Sequence, residues 1–272
     1  SVFFADTETG WKPGQIPEQE ETLPLKEVTP VRISYQLKTG LGGFIENGFA
    51  IDDKHLYPHR QTWSHVLANP VFGTLLTDRG LGFTYAYNSY KNKLTPWSND
   101  PVSDPQGEIL TAQLSDGKQN VVYDVLSNSA AVFKDGYAEY RSNAGAVTLT
   151  VRVFVPTRLP AKIILVIIEN PTAHTVRLGY TTEIIMSSSK NSSVVNSIRD
   201  DNCIYFNNDF NTEFRSGTTV LFGHGTYPSG KGLTAVVQPG KTEAKAFILG
   251  YAQTEKQAKT LSQLLTPERV KA

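Results

Sequence analysis

Residues 147–155, VTLTVRVFV, alternate in type. Val147, Leu149, Val151, Val153 and Val155 fall on one side, with Thr148, Thr150 and Arg152 on the other. A period of two over that length is the pattern of a β-strand with one face in a core and one toward water. Residues 162–169, KIILVIIE, follow with no alternation at all. An apolar, β-branched run of strand length is expected to be a central strand covered on both faces. The proline-bounded stretch 156–160 between them is turn material.

The same signals recur along the chain. Further strands are expected at 32–37, 71–77, 82–88, 121–126, 177–186, 218–222, 233–237 and 243–251. The punctuation between them includes Asn170-Pro171, 228–232 and Pro239-Gly240. More than ten short strands with no helix between them predict an all-β fold, a large antiparallel β-sandwich. At 272 residues, a chain of this size buries about 70% of its surface on folding, enough for a core without staples. Residues 1–30, with Pro13, Pro17, Pro24, Pro30 and the acids Glu18, Glu20 and Glu21, show no period. They are expected to form an extended N-terminal arm, and 31–253 the sandwich.

Only the end reads as helix. Thr254 is an N-cap, Gln257 its partner three residues on, and Ala258, Leu261, Leu264 and Leu265 make one apolar stripe. Thr266-Pro267-Glu268 repeats the start signal with almost no chain behind it, too little for a helix stable in water. Residues 254–272 are therefore expected to be the beginning of linker helices. The single methionine, Met186, adds the expectation that this sequence is a piece of something longer.

Composition excludes several classes. Lys plus Arg number 26 and Asp plus Glu 26, so there is no basic excess for a nucleic acid or an anionic membrane surface. No apolar run is long enough to span a bilayer. No leader-like segment is read, and the cytoplasm is the expected compartment. Cys203 alone rules out an internal disulfide. It lies in CIYF and is expected to be a buried packing residue.

Residues 40–110 are the least ordinary stretch, dense in Trp, Asn, Asp, Pro and Gly. Aromatic planes beside fixed polar groups grip sugars, the ring stacking on the C–H face of a pyranose while Asn, Asp and Arg bond its hydroxyls. Trp97, Asn99 and Asp100 combine these elements within one turn-rich segment and are the candidate substrate-side residues. The plainer reading makes Trp63 and Trp97 core rings, and Asn99-Asp100-Pro101 and Asp104-Pro105 turn formers. Asp100, Asp104 and Glu108 invite comparison with an acid/base pair, yet the Asp-Pro setting reads as turn chemistry. His55, His59 and His65 do not make a metal motif, since Pro58 interrupts any helix that would align the first two. No metal is expected. Asn191-Ser192-Ser193 matches a glycosylation sequon by chance, and the glycines at 40–43 lack the lysine and helix start of a phosphate loop.

The segments GLGGF at 40–44, WSHVLANP at 63–70, FGTLLT at 72–77, GLGFTYAYNS at 80–89 and LTPWSNDPVSDP at 94–105 resemble glycoside hydrolase family 94, formerly glycosyltransferase family 36. VFVP at 153–156, NDFNTEF at 208–214 and ILGYAQTEKQA at 248–258 extend the likeness over nearly all of the chain from about residue 38. The 94–105 stretch is the most specific and looks closest to the cyclic β-1,2-glucan synthase and oligoglucan phosphorylase branches.

The resemblance implies an N-terminal supersandwich joined by linker helices to an (α/α)₆ barrel. In that family the barrel supplies an aspartic acid as general acid, and inorganic phosphate, the co-substrate, attacks the anomeric carbon with inversion. No catalytic residue is expected in this chain and no cofactor. Its implied partners are its own barrel, a β-glucan oligosaccharide and, in a homodimer, a second copy. One departure stands out: after Gly107-Glu108 the family's Tyr-x-Arg-Asp run is replaced by ILTAQLSDGK. Substrate preference is therefore not carried over from the cellobiose enzymes. Two other readings remain open, a free-standing carbohydrate-binding module and an intact hydrolase.

Overall fold

In the computed structural model, which describes residues 24–40, 42–52, 61–100, 102–115, 119–200, 202–230 and 232–271, the two diagnostic strands lie side by side. Val147–Phe154 pairs antiparallel with Ala161–Asn170, Val151 opposite Val166 and Val153 opposite Ile164. The alternating strand buries its valines and Leu149 and leaves Thr148, Thr150 and Arg152 half-buried. The apolar strand is covered twice. Ile164, Val166 and Ile168 enter the main core, whereas Ala161, Ile163 and Leu165 enter a second, smaller one. Successive side chains of a strand point to opposite faces, so a strand without polar positions needs two covers.

The first cover is a six-stranded sheet built around Glu108–Ser115 and Val176–Thr182. It faces a twelve-stranded sheet that runs from Asn196–Asp200 at one edge, through Lys241–Ala252 and Ala161–Asn170, to Leu37–Lys38 at the other. A three-stranded meander, Ser64–Asn69, Phe72–Thr77 and Gly80–Ala86, contributes Leu67, Phe72, Leu76 and Leu81 to the same core. Gly82 sits in the meander at φ +57°, and a Cβ there would lie 1.8 Å from the Leu75 carbonyl oxygen. Among the described residues every ladder is antiparallel except that of Leu25–Glu27 on Asn120–Asp124. The fold is all-β, a large antiparallel sandwich with a short C-terminal helix.

The second cover is that helix. In α1 (Glu255–Leu264), Thr254 caps the start, its hydroxyl accepting from the Gln257 amide at 3.3 Å. Ala258 and Leu261 sit in the smaller core with Val220, Phe222 and Ile248. The second start signal produces a helical turn, α2 (Pro267–Lys271). Burial of Val270 in the smaller core supplies the support that so short a helix lacks in water. His224 Nε2 lies 2.5 Å from the Leu265 carbonyl oxygen, tying the junction of the two helices to the sheet.

Several boundaries differ from the expected ones. Residues 32–36 form no ladder strand. The Ile33 amide instead donates to Asp52 Oδ2 at 2.8 Å, and the Tyr35 hydroxyl donates to the other carboxylate oxygen. Pro228 lies inside the edge strand Thr226–Ser229 rather than in a turn, a place open to proline because an edge needs fewer ladder donors. The strand expected at 177–186 stops at Thr182. The N-terminal arm falls largely outside the described residues. Its described end, 24–30, is woven into both sheets, with Thr29–Pro30 pairing onto Tyr137–Ala144 and Val28 buried.

A polar knot ties the layers together. Lys162, fully buried, donates to Glu108 Oε2 at 3.0 Å and to the Leu81 carbonyl at 2.7 Å. Tyr180 donates to the same carboxylate oxygen at 2.6 Å, and Thr84 and Thr95 donate to Oε1 at 2.6 and 2.9 Å. Each sheet contributes at least one member. Burial draws the Lys162 pKa below its ordinary value, with Glu108 opposing the shift.

Candidate functional site

After Gly80–Ala86 the chain crosses the meander and is lashed to the loop at 185–188. Lys93 and Ser187 exchange backbone hydrogen bonds at 3.2 and 3.1 Å, and the Leu94 amide donates to the Thr84 carbonyl at 2.8 Å. Leu94 and Thr95 are buried by this, and past Pro96 the next side chain, Trp97, emerges 39% exposed. Its indole lies flat on Phe83, ring centroids 4.6 Å apart and planes 10° apart. One face is thus supported by the core.

The loop beyond Trp97 is bound to itself. Asn99 takes a left-handed φ of +56°. Asp100 Oδ1 accepts from the amides of Val102 and Ser103 at 2.9 and 3.2 Å, and Oδ2 accepts from the Ser103 hydroxyl at 2.5 Å. The Ser103 hydroxyl, followed by these amides, holds the Asp100 carboxyl below its ordinary range. Asp104 Oδ2 accepts from Thr77 Oγ1 at 2.7 Å and Gln106 Nε2 at 3.0 Å. Both aspartates therefore organise the turn, and Glu108 lies apart in the buried knot. The three acids do not converge on a common point.

Trp97 stands between two depressions. On one side is a cleft of about 130 Å³, shared with Asn99, Asp100 and Asp104. The three sequence candidates do meet there. On the other side is a larger cleft of about 730 Å³, which Trp97 reaches but Asn99 and Asp100 do not. Its far wall, Thr181, Thr182, Ser188 and Ser189, is rich in hydroxyls and went unnoticed in the sequence. Glu183, on that wall, forms an ion pair with Lys190 at 2.8 Å. The run 187–190, SSSK, was the available signal, but nothing local says that it faces a tryptophan some ninety positions earlier.

The NDFNTEF segment supports this wall from behind. Asn208 Nδ2 donates to the carbonyls of Ile185 and Met186 at 3.2 Å each, and Asn211 Nδ2 donates to Met186 at 2.8 Å. Met186 itself is at φ +47°, a strained backbone that such brackets hold in place. Cys203 is half-buried rather than buried, packed beside the smaller core. His65 contacts the Lys134 carbonyl oxygen at 3.1 Å, while His55 and His59 lie outside the described residues. Among the described residues no cluster of His, Cys, Asp or Glu is placed to hold a metal ion, and no helix is long and apolar enough to cross a membrane.

Two broad antiparallel sheets closed over one core, with a meander at their side, define a β-supersandwich domain. More particularly, a family model described as "Glycosyl hydrolase 94, supersandwich domain" matches residues 54–229, and the chain belongs to that family. A cyclic beta-(1,2)-glucan synthase, NdvB, of Rhizobium meliloti (strain 1021) is 30% identical over 157 residues, which cover 54% of this chain and 6% of that protein. The match therefore spans a small part of the relative's length. A bacterial glucoamylase complexed with acarbose shares the fold at a TM-score of 0.52 and 12% identity, over 90% of this chain and 37% of that one. A galactose mutarotase related enzyme from Lactobacillus acidophilus aligns at a TM-score of 0.43 and 8% identity, over 71% of this chain and 99% of its own.

Proposed function

We propose that this chain is the non-catalytic N-terminal domain of a glycoside phosphorylase or glucan synthase-like enzyme. It braces an (α/α)₆ catalytic barrel, walls one side of the sugar site with Trp97, Asn99 and Asp100, and takes part in dimerisation. A cytoplasmic compartment goes with this reading. Inorganic phosphate is then the co-substrate of the whole enzyme and a β-glucan oligosaccharide its substrate.

The observation that supports a wall rather than a catalytic centre is the state of the acids around Trp97. Inverting phosphorolysis breaks the C1–O glycosidic bond and forms a C1–O bond to phosphate, and the leaving oxygen must receive a proton. Glu183 is tied to Lys190, Asp100 to its own turn, and Asp104 to Thr77 of the meander. Each of these acids is thus engaged by a neighbouring group of the chain itself. A supporting role also suits the apolar groove of about 360 Å³ beside α1, where Val71, Leu159 and Leu264 are ready to be covered.

The test is to incubate the chain with linear β-1,2-gluco-oligosaccharides, with and without phosphate. Neither glucose 1-phosphate nor new reducing ends are expected; turnover of either kind overturns the proposal. A free-standing carbohydrate-binding module is the second reading, favoured by the exposed indole. It predicts sugar binding in calorimetry that is abolished by Trp97→Ala.

A further inference from the structure

Thr62 and Ser64 face the small cleft beside Trp97. The alternate residues Trp63 and His65 face the other way, into a separate hollow of about 480 Å³ over the edge of the twelve-stranded sheet. Its floor is made of rings. Phe44 and Phe49 meet edge to face at 5.2 Å, Phe49 and Trp63 lie nearly parallel at 5.7 Å and 16°, and His65 stacks on Phe133 at 5.2 Å. Trp63 is 45% exposed and Phe44 52%. The rim is polar: Asn47 and Asp135 stand on two hairpin turns, each followed by a glycine, with Lys134 beside them.

Among the described residues, no aliphatic side chain lines this hollow. That separates it from the groove beside α1, where aliphatic groups of the kind a protein segment buries predominate. A hollow of flat rings rimmed by amide, carboxylate and ammonium groups fits a ligand with one apolar face and a belt of hydroxyls. The rim charges, Lys134 and Asp135, are opposite in sign. Burial lowers the His65 pKa, against the Lys134 carbonyl and Asp135, which raise it. Such a site favours an uncharged ligand over an anion.

We propose that this hollow is a second carbohydrate site, in which Trp63 stacks on a glucose unit of a neutral glucan chain, Phe44, steeply inclined to the indole, packs against the edge of that unit, and Asn47 and Asp135 bond its hydroxyls. The described lining residues of this hollow are shared with neither cleft beside Trp97. Only the choice of glucan as the sugar rests on the function proposed above.

Calorimetric titration of the full chain with linear β-1,2-gluco-oligosaccharides, and in parallel with cello-oligosaccharides, tests it. Binding is expected to weaken at least tenfold in both Trp63→Ala and Phe44→Ala and to be unchanged in Trp97→Ala. Phe44, half exposed, serves where Trp63→Ala fails to fold. Trp63-dependent binding of cello-oligosaccharides alone supports the hollow while counting against the β-1,2-glucan branch. Absence of binding to either sugar, or loss confined to Trp97→Ala, overturns the proposal, and the hollow is then a surface for protein.

Discussion

The indole of Trp97 lies parallel to the ring of Phe83 at 4.6 Å, so the exposed ring between the two clefts is set by a residue that is itself 3% exposed. Replacing Phe83 by Leu removes the plane beneath the indole but keeps most of the volume. Stability is expected to fall by about 1 kcal/mol, and the near-ultraviolet dichroism of tryptophan to weaken. An unchanged tryptophan spectrum in Phe83→Leu shows that the stack does not fix the ring.

The Lys162–Glu108 pair is expected to be costly to break from one side. Lys162→Met strands a buried carboxylate, and a loss of about 3–5 kcal/mol is expected in urea unfolding. Adding Glu108→Gln removes that charge and recovers part of the loss, since the amide oxygen still accepts from Thr84 and Thr95. Equal midpoints for the single and double variants speak against an uncompensated charge as the cause.

Glu139 supplies the pH dependence. Burial pushes its pKa up, but hydrogen bonds from Arg152 and Arg141 outweigh this and hold it below the ordinary 4.5. The folded state therefore binds its proton later than the unfolded chain as acid is added. The stabilisation is complete above 4.5 and is lost as pH falls through the folded value. Glu139→Gln should lower the melting temperature at about pH 7, and its gap to the parent should narrow as pH falls below 4.5. A gap that is constant with pH removes the ion pairs as its source.

Gly82→Ala is expected to cost about 3 kcal/mol or more, combining a left-handed φ with overpacking against the Leu75 carbonyl. Hydrogen exchange should show the loss first in the amides of Gly80–Ala86 and Phe72–Thr77. Uniform loosening of both sheets instead means that the meander is not a unit of its own.

Much of the architecture is legible where inward positions are apolar. Residues 147–155 and 162–169 were read as strands of the right kind, one half-covered and one doubly covered, because their side chains report their own surroundings. Glu108–Ser115 and Tyr137–Ala144 were not read. Their inward positions are Glu108, Leu110 and Ala112 in the one and Ala138, Tyr140, Ser142 and Ala144 in the other, where a charged group or small side chains dilute the apolar alternation. Glu108 makes sense only with Lys162, which lies 54 positions away in sequence. The site divides in the same way. Trp97, Asn99 and Asp100 are neighbours in sequence and could be grouped, whereas the hydroxyl-bearing wall at 181–189 faces Trp97, of these three, and does so only through the fold.

Lys162 has one more consequence. Its inward direction is shared with Ile164, Val166 and Ile168, and its outward neighbours Ala161 and Ile163 lie beneath the helices. Sliding the strand by a single residue would exchange these sets. For a run so uniformly greasy the exchange would otherwise pass almost unnoticed, as either half is a credible filling. The ammonium makes the misaligned partner conspicuous, since it would be thrust beneath the helices with no anion to meet it. One cation thus serves as an alignment mark for the longest hydrophobic stretch in the molecule.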